Sequence, residues 1–354
     1  MEYKPIQIID ISNWNIKEWL GTKGTREKFI CESPLDDIEY YFKQSLFKEN
    51  KDYRFEFWSE IIASKFGRYL GLNILDYNVG IYKNKIGCLC QSMLKDNIQN
   101  QYYEELREGV NYLAAIHPEF LSENKEVIKL YSFQLIKSAL EVNNLTSFLP
   151  NILDIIIFDS IIGNQDRHQE NWGTITSWEF KHYLDEDNIE GATLSKGFWT
   201  AFGRGILNKF KDRTIPNASN RTEKDLPIIK IIFAPIYDSG SSLGREVAED
   251  KLADMLKDPV RLEAYINRGK SEIRWKGEKI SHFNLIRHLI NDFPYLKEKI
   301  AEILTPVNES KVLELINDID KDIPDQFSSY KLSNERKQFI GALIINRIRK
   351  LREI

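Results

Sequence analysis

The sequence is poor in cysteine, has no excess of positive charge and contains no apolar run long enough to span a bilayer. Three cysteines occur among 354 residues, fewer than a zinc or redox site of ordinary ligand spacing would use. Cys88 and Cys90 lie as CLC in an apolar, strand-like stretch, where the two-residue repeat of a strand puts them on one face; with Cys31 they read as buried free thiols. The formal net charge of -4 gives no sign of the concentrated basic face that counterion release requires, so direct nucleic-acid binding is not expected. The N-terminal MEYKPIQIID lacks a basic stretch followed by a long apolar one. A soluble, cytoplasmic protein that meets no membrane is expected. Internal repeats and low-complexity tracts are also missing.

What is present is an ordinary globular composition of 42% hydrophobic, 29% charged and 12% aromatic residues, on a chain long enough for one bilobal unit or two domains. FICES, IEYYFKQSL and LDYNVGIYKNKIGCLCQSML carry β-branched and aromatic residues around turn-like SPLDD and KNK, and read as strands. Between them, DYRFEFWSEIIASKFGRYLGL repeats its apolar residues at helical spacing up to Gly71, which predicts one helix. Strands, one helix and further strands make a small lobe over residues 1–95. Residues 96–354 read as a larger helical lobe, with helices in NQYYEELREGVNYLAAI, KEVIKLYSFQLIKSAL, LPNILDIIIFDSIIG, ISHFNLIRHLINDF, SKVLELINDIDKDI and ERKQFIGALIINRIRKLREI. The last is basic and amphipathic, and its apolar face is expected to close the lobe. Within the lobe, the glycine-scattered segment 176–227 is longer than loops of compact domains run and reads as an insertion or lid. Its Arg204, Lys209, Lys211 and Arg213 read as a solvated face. A strand signal, IIKIIFAPIYD, follows it.

The polar stretch IIGNQDRHQENWG comes directly after an apolar run. In it Asp166 stands five residues before Asn171, the Asp-x-x-x-x-Asn spacing of phosphoryl-transfer loops. There the aspartate orients or deprotonates the attacking hydroxyl and the asparagine oxygen holds magnesium. By itself the spacing reads first as an Asx-type turn after a helix. Asp238 closes the strand-like IIFAPIY ahead of Ser239 and Gly240, where a strand-end carboxylate can be displayed to a magnesium ion; a turn-capping aspartate is the competing reading. Lys43 in YYFKQS sits mid-strand among aromatics and can present its ammonium to nucleotide phosphates. Glu60, on the one helix of that lobe, would hold it, with Glu56 one turn earlier as competitor. Ahead of this strand, LGTKGTREKF offers Gly21, Thr22, Gly24 and Thr25 for a turn whose N–H groups approach phosphates, although it is neither GxGxxG nor a Walker A sequence. Loop, strand lysine, helix glutamate, strands, helical lobe, Asp-x-x-x-x-Asn loop and strand-end aspartate follow one another as the parts of a kinase do.

FDSIIGNQDRHQENWG, with APIYDSG, YYFKQS and SEIIASKFGRYLGLN, resembles the HipA-like bacterial serine/threonine kinases. The likeness is to the stand-alone members, which lack the N-terminal subdomain that HipA toxins use to contact a HipB-type antitoxin, and it runs from about Gly21 to the C-terminus. It implies an α+β, bilobal protein-kinase-like fold with a small β-rich N-lobe and a larger helical C-lobe. It implies ATP and Mg2+ as cofactors, Asp166 as catalytic aspartate, and Asn171 and Asp238 as metal ligands. Lys43 becomes the phosphate lysine and Glu60 its partner, Gly21, Gly24 and Thr25 belong to the phosphate loop, and Ser92, Met93 and Leu94 form the adenine-side hinge. A protein substrate with a serine or threonine acceptor is the implied partner, an antitoxin-type protein a second, and autophosphorylation at Thr22 or Thr25 a further implication. Ser239 stands where eukaryotic protein kinases carry phenylalanine after the metal aspartate, so no argument from phenylalanine packing transfers. The DRHxxN element is also similar to that of phosphoinositide 3-kinase-type enzymes, which keeps a lipid or small-molecule kinase as a rival. A nucleotide-binding pseudokinase is the second rival, although all four polar roles are filled.

Overall fold

The computed structural model describes residues 5–19, 28–45, 47–48, 51–95, 102–122, 126–179 and 228–354. The expected phosphate loop with Gly21, Thr22, Gly24 and Thr25 lies outside the described residues, as does the part from 180 onward of the insertion expected at 176–227, with Arg204, Lys209, Lys211 and Arg213.

The N-terminal strands are β1 (Ile8–Asp10), β2 (Asn15–Trp19), β3 (Lys28–Glu32), β4 (Glu39–Gln44), the short β5 (Phe47–Lys48) and β6 (Lys51–Asp52), β7 (Tyr77–Tyr82) and β8 (Lys85–Gln91). Six of them form one sheet in the order β1-β7-β8-β4-β3-β2, while β5 and β6 pair only with each other. β1 runs parallel to β7, and the remaining neighbours are antiparallel. Strand alternation sorts the side chains of β4 onto two faces. Phe42 turns into a buried cluster with Ile11, Phe29, Cys31, Tyr82 and Leu89, its ring 4.9 Å from that of Phe29. Lys43, the next residue, therefore points to the opposite face.

That face meets helix α1 (Glu56–Tyr69). Lys65, deep in the helix, places its ammonium 2.5 Å from Asp76 and 2.9 Å from Asn78. Ser64 accepts a hydrogen bond from Tyr77 N at 2.9 Å and donates one to the Leu75 carbonyl. On its other side the Trp58 indole donates to the Tyr330 carbonyl at 2.7 Å and the Tyr69 hydroxyl to that of Pro306. A helix held on both sides fixes where its glutamates stand. As the spacing predicts, it ends before Gly71, whose φ of 79° only glycine adopts freely.

Two helices expected from sequence are corrected. The segment around 100–116 is not one helix: β9 (Tyr102–Glu108) comes first and a short α2 (Gly109–Leu113) follows. β9 lies in a three-stranded sheet ordered β11-β10-β9, with β10 (Gly173–Glu179) and β11 (Ile228–Phe233). Tyr102 and Tyr103 suit a strand as well as a helix, and a distant pairing partner decides between them. The same sheet makes 176–179 regular where irregular chain is expected. KEVIKLYSFQLIKSAL also breaks, into a 3-10 turn (Val127–Leu130) and α3 (Phe133–Val142). Ser132 causes the break by capping α3, its hydroxyl accepting from Leu135 N at 3.3 Å.

The helical part is built around α4 (Leu149–Ile162), whose residues are buried on almost every side. Beyond it come α5 (Glu249–Lys257), α6 (Pro259–Arg268), α7 (His282–Asp292), α8 (Leu296–Leu304), α9 (Glu309–Asp318) and α10 (Asn334–Arg352). As expected, α10 buries an apolar face of Phe339, Ile340, Leu343, Ile344, Ile348 and Leu351. Its Arg347 is buried as well and donates to the carbonyls of Ser160 and Ile266 at 3.0 and 3.3 Å. These are the C-terminal ends of α4 and α6, where the helix dipole is negative and unpaired carbonyls need donors. Burial pulls the Arg347 guanidinium down to about 10, against the pull of Tyr265 and Glu246. No helix among the described residues is long and apolar enough to cross a membrane.

The chain divides into two compact units. One comprises Met1–Met93, Leu106–Thr174 and Phe233–Ile354; the other comprises Leu94–Glu105 and Ile175–Ile232. All the side chains of the candidate site that the structure describes, apart from Leu94, belong to the first.

The three cysteines are free and buried, as expected. Desolvation pushes the Cys90 and Cys31 thiols up to about 12, and Cys88 well above its ordinary value. A thiol held protonated is a poor nucleophile. The native protein should therefore leave a chromogenic disulfide reagent unconsumed at pH 8, and release three equivalents once denaturant is added. Rapid native labelling at Cys88 or Cys90 would show that α1 does not stay on the sheet.

Candidate active site

Register places Lys43 between Lys28 of β3 and Cys88 of β8. Its ammonium lies 2.8 Å from Glu60 Oε1 and 2.7 Å from Asp238 Oδ1. Side-chain exposure is 16% for Lys43, 1% for Glu60 and 39% for Asp238. Glu60 uses its other oxygen to accept from Ser239 N at 2.8 Å, so one buried carboxylate grips both the lysine and the backbone just after Asp238. Glu56 instead pairs with Arg245, which settles the competition between the two glutamates. Close approach explains Gly240: a Cβ there would sit 2.9 Å from Glu60 Oε1. Asp238 itself takes a φ of 51°, a left-handed conformation that aspartate tolerates better than most residues.

Burial alone would push the Lys43 ammonium down, but the Asp238 and Glu60 carboxylates outweigh it and hold the group above its ordinary value. Burial likewise works to raise Asp238, and Lys43 overcomes it, holding the carboxyl far below the usual range. For Glu60 the balance tips the other way: burial raises it despite the pull of Lys43. One ammonium faces two carboxylates, which leaves the pocket short of positive charge.

The Asp166 loop adjoins this cluster. Ser241, three residues beyond Asp238, donates its hydroxyl to Asp166 Oδ2 at 3.1 Å, and its carbonyl accepts from Gln165 N at 3.3 Å. Asn171 Nδ2 donates to the Asp166 carbonyl at 2.7 Å, closing the loop on itself. The turn expected of such a sequence is also there, since Asn164 Oδ1 accepts from Asp166 N at 3.2 Å. Trp172 ends the loop in the core, its indole donating to the Tyr131 hydroxyl at 3.0 Å.

Arg167, which the sequence reading passes over, joins the two halves. Its buried guanidinium forks onto Asp159 of α4 at 3.0 and 2.9 Å. It also donates to the Asn171 carbonyl at 3.0 Å, to the Tyr237 carbonyl and to Ser239 Oγ at 3.1 Å. One side chain thus anchors the backbone of Asn171 and of Tyr237 and the hydroxyl of Ser239, on either side of Asp238. The readable signal was Asp159, one of two carboxylates in the apolar run ILDIIIFDSII, which must find a cation once buried. Ser241 and Arg245 carried no comparable signal.

Of the residues singled out from sequence, the structure brings together Lys43, Glu60 and Asp238, and joins Asp166 with Asn171. Ser92, Met93 and Leu94 follow directly on β8, the neighbour of the lysine strand, and Ser92 N donates to the Glu39 carbonyl at 2.7 Å. They stand at the strand end rather than in the charged cluster.

No protein-family model matches the chain. A curated relative, the serine/threonine-protein kinase CtkA of Helicobacter pylori strain J99, is 28% identical over 177 residues, which is 46% of this chain and 47% of the relative. The shared stretch thus spans about half of the relative's length. The crystal structure of a Helicobacter pylori proinflammatory kinase CtkA matches with a TM-score of 0.63 and 19% identity, over 98% of this chain and 96% of that one. A weaker likeness, with a TM-score of 0.46 and 11% identity, is to a chain of the Shewanella oneidensis MR-1 HipA, HipB and operator DNA complex; it covers 96% of this chain and 68% of that one. The resemblance to the HipA-like bacterial serine/threonine kinases read from the sequence is borne out, in the α+β fold shared with CtkA and in the stretch of sequence shared with the curated kinase of that name.

Proposed function

We propose that the chain is an ATP- and Mg2+-dependent serine/threonine protein kinase of HipA-like type. The observation that carries this reading is the position of Lys43, bound at once to the α1 glutamate and to the aspartate at the end of β11's connection, beside the Asp166 loop. In this reading residues 1–95 and 96–354 act as the two kinase lobes. Lys43 grips nucleotide phosphates and Glu60 holds it in place. Gly21, Gly24 and Thr25 supply the phosphate loop, and Ser92, Met93 and Leu94 receive the adenine.

The donor set fits magnesium. Asn171 spends its Nδ2 on the Asp166 carbonyl, which leaves the amide oxygen for a ligand, and Asp238 keeps an open edge with 39% of its side chain exposed. Amide and carboxylate oxygens are the hard donors that Mg2+ prefers alongside substrate phosphates. When bound, the ion would neutralise charge on the phosphates. Asp166, exposed and pinned through one oxygen, orients the acceptor hydroxyl and takes its proton.

A protein acceptor is favoured over a lipid by the serine/threonine specificity in the relative's name. An antitoxin-type partner enters this reading through the HipA-like resemblance, and a cytoplasmic site of action is proposed beside it. The test offers labelled ATP with Mg2+ to a cell lysate and to a lipid panel in parallel. Label on protein serine or threonine is expected. Label confined to lipid would overturn the acceptor, and nucleotide binding without transfer to anything would make the chain a pseudokinase.

A further inference from the structure

We propose that Arg245 is a positioning residue, holding the Ser241 hydroxyl against Asp166 and so tying the orientation of that carboxylate to helix α1. The inference rests on the kinase reading of the site.

The direction of the hydrogen bonds carries the argument. Arginine can only donate. Arg245 Nη2 gives a hydrogen bond to Ser241 Oγ at 2.9 Å, which occupies a lone pair of that oxygen and leaves the hydroxyl to spend its own proton elsewhere. It spends it on Asp166 Oδ2, 3.1 Å away. The relay from arginine through serine to aspartate therefore runs one way.

Arg245 is itself held from above. Its other terminal nitrogen pairs with the Glu56 carboxylate, only 5% exposed, and its guanidinium lies 5.6 Å from the ring centre of Tyr53. Glu56 opens α1, the helix that also carries Glu60. One helix thus directs two carboxylates, one turn apart, to two different parts of the site: Glu60 to Lys43, and Glu56 to the relay that ends on Asp166.

The consequence for Asp166 is asymmetry. A carboxylate turns easily about its terminal bond, and no donor among the described residues reaches Oδ1. With Oδ2 held by Ser241, Oδ1 is the oxygen kept for the acceptor hydroxyl. Loss of the relay should leave nucleotide binding alone and slow the transfer step.

Initial rates of label transfer from ATP to lysate protein test this on the full chain. Ser241→Ala should lower kcat about tenfold with KM for ATP within about twofold of wild type, and Ser241→Thr, which keeps a hydroxyl, should recover most of the loss. Arg245→Met should fall by a similar factor. The double variant should be no slower than either single one, because both changes remove the same restraint. Losses that multiply in the double variant, a loss expressed in KM, or an unimpaired Ser241→Ala would each overturn the proposal. Should Arg245→Met fail to fold, shown by a lowered thermal midpoint, the alanine and threonine variants at 241 still decide it. A wild-type protein that transfers no label would fell the kinase reading and this inference together; an active wild type with additive losses would fell this inference alone.

Discussion

Replacing Asp166 by asparagine will slow phosphoryl transfer by about 10²- to 10⁴-fold, the usual loss when a positioned general base is removed. The substitution is nearly isosteric. Asparagine can still accept the Ser241 hydroxyl through its amide oxygen, and the Asn171 bond to the backbone carbonyl of residue 166 does not involve the side chain. The loop should therefore keep its shape, and what is lost is the capacity to take a proton. The Lys43–Glu60–Asp238 cluster does not touch the substituted side chain, so nucleotide affinity should be unchanged. Single-turnover transfer of labelled phosphate, run beside a nucleotide-binding titration, makes the comparison. A variant as fast as wild type would remove Asp166 from the catalytic role, whatever else the site does.

Lys43 was legible in the sequence because it stood in a short strand with a two-residue pattern, Asp238 because it followed a strand-like run, and both because their order along the chain matched a known set of parts; the strand itself stops at Phe233, short of Asp238. The choice of Glu60 over Glu56 was not. Both lie on the same face of α1, one turn apart, and only the approach of Ser239 N and the bare Cα of Gly240 select Glu60. Arg167 was hidden for a different reason: among the polar residues of its loop nothing marks it as buried, and its role depends on Asp159, Asn171, Tyr237 and Ser239 arriving around it in space. β9 was misread because its two tyrosines suit either period and its ladder partner lies far along the chain. Local periodicity fixed α1 and α4, whose apolar residues recur over several turns, and it failed where a tertiary contact made the choice.

Arg167→Met should be the most destabilising single change in the site. The guanidinium is 1% exposed and Asp159 is 4% exposed, and removing one partner of a buried ion pair leaves the other as an uncompensated charge, at a cost of about 3–5 kcal/mol. Burial would lower the Arg167 group, yet Asp159 outweighs that and holds it above its ordinary range. Urea unfolding should show the midpoint lowered by about 1 M or more at an unchanged slope. Adding Asp159→Leu to Arg167→Met removes the orphaned carboxylate and should restore part of that stability, because an apolar pair of similar volume substitutes well for a buried ion pair. Restoration will be incomplete, since Asn164 Nδ2 loses its acceptor at 3.0 Å. Transfer activity should stay low in the double variant even as stability returns: the carbonyls of Asn171 and Tyr237 would still lack the shared donor that fixes the proposed metal ligands relative to each other. A single variant as stable as wild type would show that the pair is dispensable to the fold. A double variant that recovers transfer along with stability would show that the loop finds its geometry without Arg167.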